Sequence, residues 1–164
     1  MSGYARSGKD TVGEILAQEH GFVRLAFADK LKKLALVLDP QVAAAVTELG
    51  GWEQAKKIQY VREYLQLLGT SARDILFESV WIDALLSDLD ATTSYVITDV
   101  RFLNEAEAIR ARDGIMVRIS RPGVGPVNQH ISEIALDDYP FDVYLKNDGS
   151  IPNLADQLRN VLGL

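Results

Sequence analysis

The sequence predicts an α/β domain of three layers, with helices on both faces of a mostly parallel sheet, and three observations carry that prediction. Strand-like and helix-like stretches alternate along the 164 residues, the order that parallel strands joined by helical crossovers require. The chain opens on a glycine-bracketed turn that runs directly into a helical pattern. A content of 48% hydrophobic and 24% charged residues suits one core of ordinary size, so a single domain over residues 1–164 is expected, with a helical insertion at about 28–90.

The composition also narrows the function classes. A net charge of -6 and a pI near 4.9 argue against a nucleic-acid duplex or an anionic membrane as a general partner, since both would be repelled on average. With no cysteine there is no disulfide framework, no thiolate metal site and no cysteine nucleophile. The two histidines, His20 and His130, stand in unrelated contexts, so no zinc site is expected. No apolar run is long enough to span a bilayer and no signal peptide is seen, which makes the cytoplasm the expected compartment.

The glycine-bracketed turn comes first. Ser2-Gly3-Tyr4-Ala5-Arg6-Ser7-Gly8-Lys9-Asp10-Thr11 has the composition of a phosphate-binding loop. Gly3 and Gly8 enclose four residues and Lys9 follows, a spacing that lets backbone amides turn inward on a polyphosphate while the lysine reaches its β and γ oxygens. The helix that follows, with Val12, Ile15, Leu16 and Ala17 on one face and Gly21 as its stop, aims its positive end at the same anion. Asp10 follows the lysine and the hydroxyl comes one residue later, as Thr11. A turn that merely precedes a helix would also fit this stretch taken alone. Without a ligand, Lys9 is expected to face solvent. Such a loop hangs from a buried strand, yet only Met1 and Ser2 precede Gly3. The first strand is therefore expected to be missing here and to lie upstream in the working protein.

Residues 22–27 read as a short inner strand, apolar at both parities and covered on both faces. Asp29 and Lys32 follow the strand end, where ligands gather in open α/β sheets; an N-terminal acid and a solvated lysine would give the same pattern. Pro40 ends that helix and residues 42–51 make a small connection. Residues 52–89 are helical in pattern, broken near Lys57 and at Gly69, with Thr70 or Ser71 capping a new helix after the glycine. Arg62, Gln66, Thr70 and Arg73 could contact a substrate at that break, or be surface charges and solvated amides. Trp81 reads as core.

Residues 94–99 form the clearest strand, ending in Asp99. An acid there is the expected partner of a nucleotide's magnesium, or else the N-cap of the helix over 101–109. Arg101 projects from the same rim with a planar head suited to phosphate. Residues 115–120 make another strand, 121–126 a loop too rich in proline and glycine to be helical, and His130 to Glu133 a helical turn. Residues 142–146 are the last strand; 147–149 turn, Ser150 caps, and 151–162 form the final helix with Leu154, Leu158, Val161 and Leu162 inward.

GKDT resembles the GKGT of the adenylate kinase branch of nucleoside monophosphate kinases, and more closely the loop of phage deoxynucleoside monophosphate kinases. The likeness to the phage family continues nearly end to end, through FADKLK, VREYLQLLGTSAR, ITDVRFLNEAEAIR, RISRPG, HISE and NDG. It implies a P-loop fold of the nucleoside monophosphate kinase type. The implied activity is ATP- and magnesium-dependent phosphoryl transfer to a deoxynucleoside monophosphate, giving the diphosphate needed for phage DNA synthesis. By that resemblance the loop residues Gly3, Arg6, Ser7, Gly8, Lys9, Asp10 and Thr11 hold the ATP phosphates and Asn147 borders the adenine ring. Thr11 and Asp99 help to place magnesium, Arg73 and Arg101 grip the monophosphate, and Asp29, Lys32, Gln66 and Thr70 are acceptor contacts. Arg121 is the lid arginine and joins Lys9 and Arg101 in catalysis. The chemistry needs positioning and charge neutralisation rather than a general base. Two other readings remain: a kinase of the same fold acting on dephospho-coenzyme A or phosphomevalonate, and a nucleotide-binding module without catalysis. The base accepted cannot be read, and a homodimer is left open.

Overall fold

The computed structural model describes residues 1–126 and 131–163, so His130, the first residue of the helical turn expected there, lies outside the described residues. In chain order the elements are α1 (Lys9–His20), β1 (Val23–Leu25), α2 (Phe27–Leu38), α3 (Pro40–Glu48), α4 (Trp52–Ala55), α5 (Gln59–Ile75), α6 (Val80–Leu86), β2 (Tyr95–Ile97), α7 (Leu103–Arg110), β3 (Val117–Ser120), α8 (Ile131–Ile134), β4 (Val143–Lys146) and α9 (Ile151–Leu162). They fall into two compact units, a strand-bearing one from residues 1–26 and the described part of 89–164, and a helical one over Phe27–Asp88.

In the strand-bearing unit β1 pairs in parallel with β2, Val23 opposite Tyr95, and β3 pairs in parallel with β4, Val117 opposite Val143. Met1 and Ser2 are hydrogen-bonded to both pairs. The Met1 amino group donates to Ile97 O at 2.5 Å and Val100 N donates to Met1 O at 3.2 Å. On the other side Ser2 N donates to Val117 O at 2.8 Å and Ile119 N to Ser2 O at 2.9 Å, a parallel bridge to Arg118. No strand precedes Gly3 among the described residues; Met1 and Ser2, which lead straight into it, make these hydrogen bonds and an isolated bridge instead. Two residues carry no periodicity to read, so only the pairing reveals them.

The core of this unit gathers Val12, Ile15 and Leu16 of α1 and Leu154, Ala155 and Leu158 of α9 against Met1, Val96, Val117, Ile119, Val143 and Leu145. Alternation along β3 and β4 supplies the inward side chains, and Ser150 caps α9 by accepting from Asn153 N, as its sequence requires. The strand after α1 departs from expectation. It is three residues long, Val23 is 43% exposed and Arg24 is exposed, so it is not an inner strand covered on both faces. Phe27, expected at its end, instead opens α2, where the helix-forming run Leu31 to Leu38 outweighs the β-preference of the aromatic.

In the helical unit Asp39 caps α3, accepting from Gln41 N at 2.8 Å and Val42 N at 3.1 Å with Pro40 in the first turn, while the Tyr60 hydroxyl donates to its other oxygen. A break does fall near Lys57, between α4 and α5. None falls at Gly69. Helix α5 runs unbroken through it, and Thr70 and Ser71 cap nothing. Gly69 is buried, its carbonyl accepts from Trp81 Nε1 at 3.0 Å, and a side chain there would lie 3.3 Å from Leu31. The glycine serves close approach of neighbouring elements rather than a helix stop. Trp81 is buried, as expected. Among the described residues no helix is long and apolar enough to cross a membrane.

Candidate active site

The glycine loop curls tightly between Gly3 and Gly8, whose φ angles are 147° and 110°. Only glycine fits either place: a Cβ at Gly3 would sit 2.3 Å from Ile119 O, and one at Gly8 2.5 Å from Asn147 Nδ2, besides the backbone strain. Arg6, also at positive φ (65°), turns the loop, and Ser7 N closes it by donating to Tyr4 O at 3.2 Å. The first bond of α1 runs from Val12 N to Gly8 O at 3.0 Å, which leaves the amides of Lys9, Asp10 and Thr11 without intrahelical partners. Ser7 Oγ is buried beside Gly3 with no hydrogen-bond partner among the described residues. Unpaired helix amides and an orphaned hydroxyl within one curl fit an oxygen-rich anion.

Lys9 does not face solvent. It is half-buried, and its ammonium donates to Gly3 O and Tyr4 O, each at 2.8 Å. The carbonyls that an inward-amide loop turns the other way are the nearest acceptors for its three donors. Burial, and next the Arg101 guanidinium, pull its pKa below the ordinary lysine value. Asp10 is turned to Arg24 at 2.5 Å. Thr11 lies half-buried in the first turn of α1, and Asp99 half-buried just beyond β2. The N-cap alternative for Asp99 does not hold, because α7 begins at Leu103 and Glu105 reaches back to its start. The Glu105 carboxylate accepts from Arg101 N at 2.8 Å and Phe102 N at 3.1 Å.

Arg101 is 45% exposed and pairs with Glu133 of α8, itself 12% exposed, at 2.8 Å. The two border a small polar pocket with Ser2, Gly3, Arg118 and Ser132. Asn147, expected at a base ring, donates from Nδ2 to Ser7 O at 2.9 Å and so buttresses the second half of the loop. Arg6 and Arg121 are exposed. In the helical unit, Asp29 and Lys32 pair at 3.4 Å on α2. Because α5 is continuous, Arg62, Gln66, Thr70 and Arg73 fall at successive spacings of four, four and three residues, a single stripe down one face.

No reading of the sequence singled out Tyr4, Arg118, Glu133 or Asp137. The signal available for Arg118 was its place between Val117 and Ile119, both buried, which turns it to the opposite face of β3. That this face meets the loop follows only from the pairing of Ser2 with β3.

As for the metal, among the described residues no three His, Asp or Glu side chains gather as a metal cage. The Thr11 hydroxyl in the first turn of α1 and the Asp99 carboxylate just beyond β2 are oxygen donors of the kind magnesium takes, an ion that keeps its waters and takes its remaining oxygens from phosphates.

A family model described as deoxynucleotide monophosphate kinase matches residues 51–158. A putative deoxynucleotide monophosphate kinase of Acanthamoeba polyphaga mimivirus is 30% identical over 179 aligned positions, covering 96% of this chain and 92% of the relative. The deoxynucleotide monophosphate kinases of Escherichia phage RB69 and Enterobacteria phage T4 are 31% and 32% identical over 62% of this chain, and those matches take in 44% and 45% of their lengths. Strands alternating with helices and paired in parallel place the molecule in the broad class of α/β proteins. The chain belongs to the deoxynucleotide monophosphate kinase family.

Proposed function

We propose that this protein transfers the γ-phosphoryl group of ATP to a deoxynucleoside monophosphate, releasing the diphosphate and ADP, in the supply of precursors for phage DNA synthesis. The observation that carries the reading is the curl from Gly3 to Gly8 with Lys9 laid across it, unpaired amides of α1 behind it and Arg101 on the adjoining rim. On this reading the strand-bearing unit is the body of a three-layer P-loop fold, and the helical segment at about 28–90 is its acceptor-binding insertion. We place its action in the cytoplasm of the host cell.

The ATP phosphates take the amides of Lys9 to Thr11, with Gly3, Arg6, Ser7 and Gly8 shaping the turn and Asn147 holding it from behind. Lys9 exchanges its two loop carbonyls for phosphate oxygens, an exchange favoured by its half-desolvated position. Arg101 leaves Glu133 for the phosphate of the acceptor, where a planar two-pronged grip suits the ligand better than a carboxylate at a half-exposed site. Asp29, Lys32, Gln66, Thr70 and Arg73 supply the remaining acceptor contacts, and Arg121 covers the transferring group. Thr11 and Asp99 are the residues to hold magnesium, which when bound neutralises charge on the phosphate oxygens. No side chain need take a proton in the rate-limiting step, because the transition state is loose and positioning dominates.

A coupled assay with ATP, magnesium and a panel of deoxynucleoside monophosphates tests this directly. Turnover with at least one of them, and none with dephospho-coenzyme A or phosphomevalonate, is the expected result. Turnover confined to a non-nucleotide acceptor, or none with any acceptor, would overturn it.

A further inference from the structure

We infer that Arg118 and Asp137 form with Tyr4 a clamp that sets the first half of the phosphate loop and, through it, the position of Lys9. The inference rests on the loop's being the ATP site proposed above. Arg118 is 14% exposed on its side chain, and a cation so buried must be paired and hydrogen-bonded to be tolerated. One nitrogen donates to Asp137 Oδ1 at 2.7 Å and another to Ser2 Oγ at 3.3 Å. The faces of its guanidinium are also used, against the Tyr4 ring at 4.9 Å and the Phe141 ring at 5.5 Å, both within cation–π range.

The second oxygen of Asp137 accepts from the Tyr4 hydroxyl at 2.8 Å. One carboxylate therefore ties the arginine to the phenol. Burial, and then this bond, raise the Tyr4 pKa, so the hydroxyl remains a donor at neutral pH. The other end of Tyr4 explains what is being held. Its backbone carbonyl accepts both Ser7 N, which closes the loop, and the Lys9 ammonium. The residue whose ring is fixed is the residue that docks the lysine. Arg118 borders the same pocket as Arg101, yet its bonds and faces are spent on the protein, whereas Arg101 stands 45% exposed at the rim. Arg118 is a positioning residue, and its contribution is to spare ATP the ordering of the loop.

The test is titration of the folded full chain with magnesium-ATP, alongside steady-state kinetics. Tyr4→Ala should raise the ATP dissociation constant and KM about tenfold, with the KM of the acceptor nearly unchanged, as expected when a preorganised loop must be ordered by its ligand. Tyr4→Phe keeps the ring under the guanidinium and should stay within about threefold of wild type. Arg118→Met should match Tyr4→Ala, and the double variant should be scarcely worse than either, because both break one clamp. A clamp with a merely structural role would lower the melting temperature and leave the ATP KM of the folded fraction alone. That result, or losses that multiply in the double variant, overturns the inference. If Arg118→Met does not fold, the comparison of Tyr4→Ala with Tyr4→Phe decides by itself. Lys9→Ala in the same titration separates the two levels: weakened ATP binding there beside an unaffected Tyr4→Ala sinks the clamp alone, while unaffected binding in Lys9→Ala sinks the loop assignment and the clamp with it.

Discussion

The two units hold their candidate site residues in different ways. In the strand-bearing unit these side chains are tied to partners distant in sequence: Arg101 to Glu133, Asn147 to Ser7, and, under the loop, Arg118 to Asp137 and Ser2. In the helical unit the order is local. Gln66 and Thr70 stand exposed at helical spacing on α5, and Asp29 pairs with Lys32 one turn away on α2. The contrast teaches where energy is exchanged on binding. A ligand at the loop must replace contacts that already exist, so its net gain depends on geometry; a ligand at the exposed Gln66 and Thr70 meets side chains that stand in water.

The largest effect is expected for Lys9→Ala. Turnover should fall by about 10³ or more, the scale of losing a group that meets the transferring phosphoryl. Stability should fall by only about 1 kcal/mol, because the two loop hydrogen bonds exchange with water. Rapid-quench kinetics and thermal melts measure both, and near wild-type turnover would break the contrast at its strongest point. Next comes Arg101→Lys, for which we expect turnover about 100-fold lower with ATP affinity nearly intact, since a point charge does not reproduce a two-pronged grip. Weakened ATP binding with normal acceptor affinity would move Arg101 to the donor side.

A third substitution sharpens the exchange idea. Glu133→Gln frees Arg101 from its ion pair, and acceptor KM should drop about two- to fivefold, the range set by a partly exposed pair worth at most about 1 kcal/mol. A rise in acceptor KM would mean that Glu133 holds Arg101 in its working pose. The smallest effect belongs to the stripe. Gln66→Ala should change acceptor KM by about threefold and the melting temperature hardly at all, as for an exposed residue off the core. A loss of stability instead would show that the stripe is not water-facing in the free protein.

The sequence made legible what depends on neighbours in the chain. The GxxxxGK spacing, the caps at Ser150 and the alternation of β3 and β4 are local patterns, and the structure follows them. What it hid depends on contacts between distant residues. Gly69 carries the local signature of a helix stop, and a carbonyl wanted by Trp81 overrides it. Lys9 looks solvent-facing until its loop is seen to present it two carbonyls. Arg118 looks like any outward strand residue, because nothing within several positions announces Tyr4 or Asp137. Met1 and Ser2 are joined to β2 and β3 only through backbone hydrogen bonds and one isolated bridge, which no local pattern announces.

Gly69 also bears on how this sequence can drift. Replacing an interior helical glycine by alanine ordinarily stabilises a helix by about 1 kcal/mol, so on propensity alone alanine would be favoured here. The methyl it adds would meet Leu31 at 3.3 Å, closer than the leucine accepts without moving. The two positions are therefore coupled: a shorter residue 31 leaves a void that alanine at 69 fills, whereas alanine at 69 arriving first obliges the end of Leu31 to shift by a few tenths of an ångström. Among descendants of this chain, residues 31 and 69 are expected to change together.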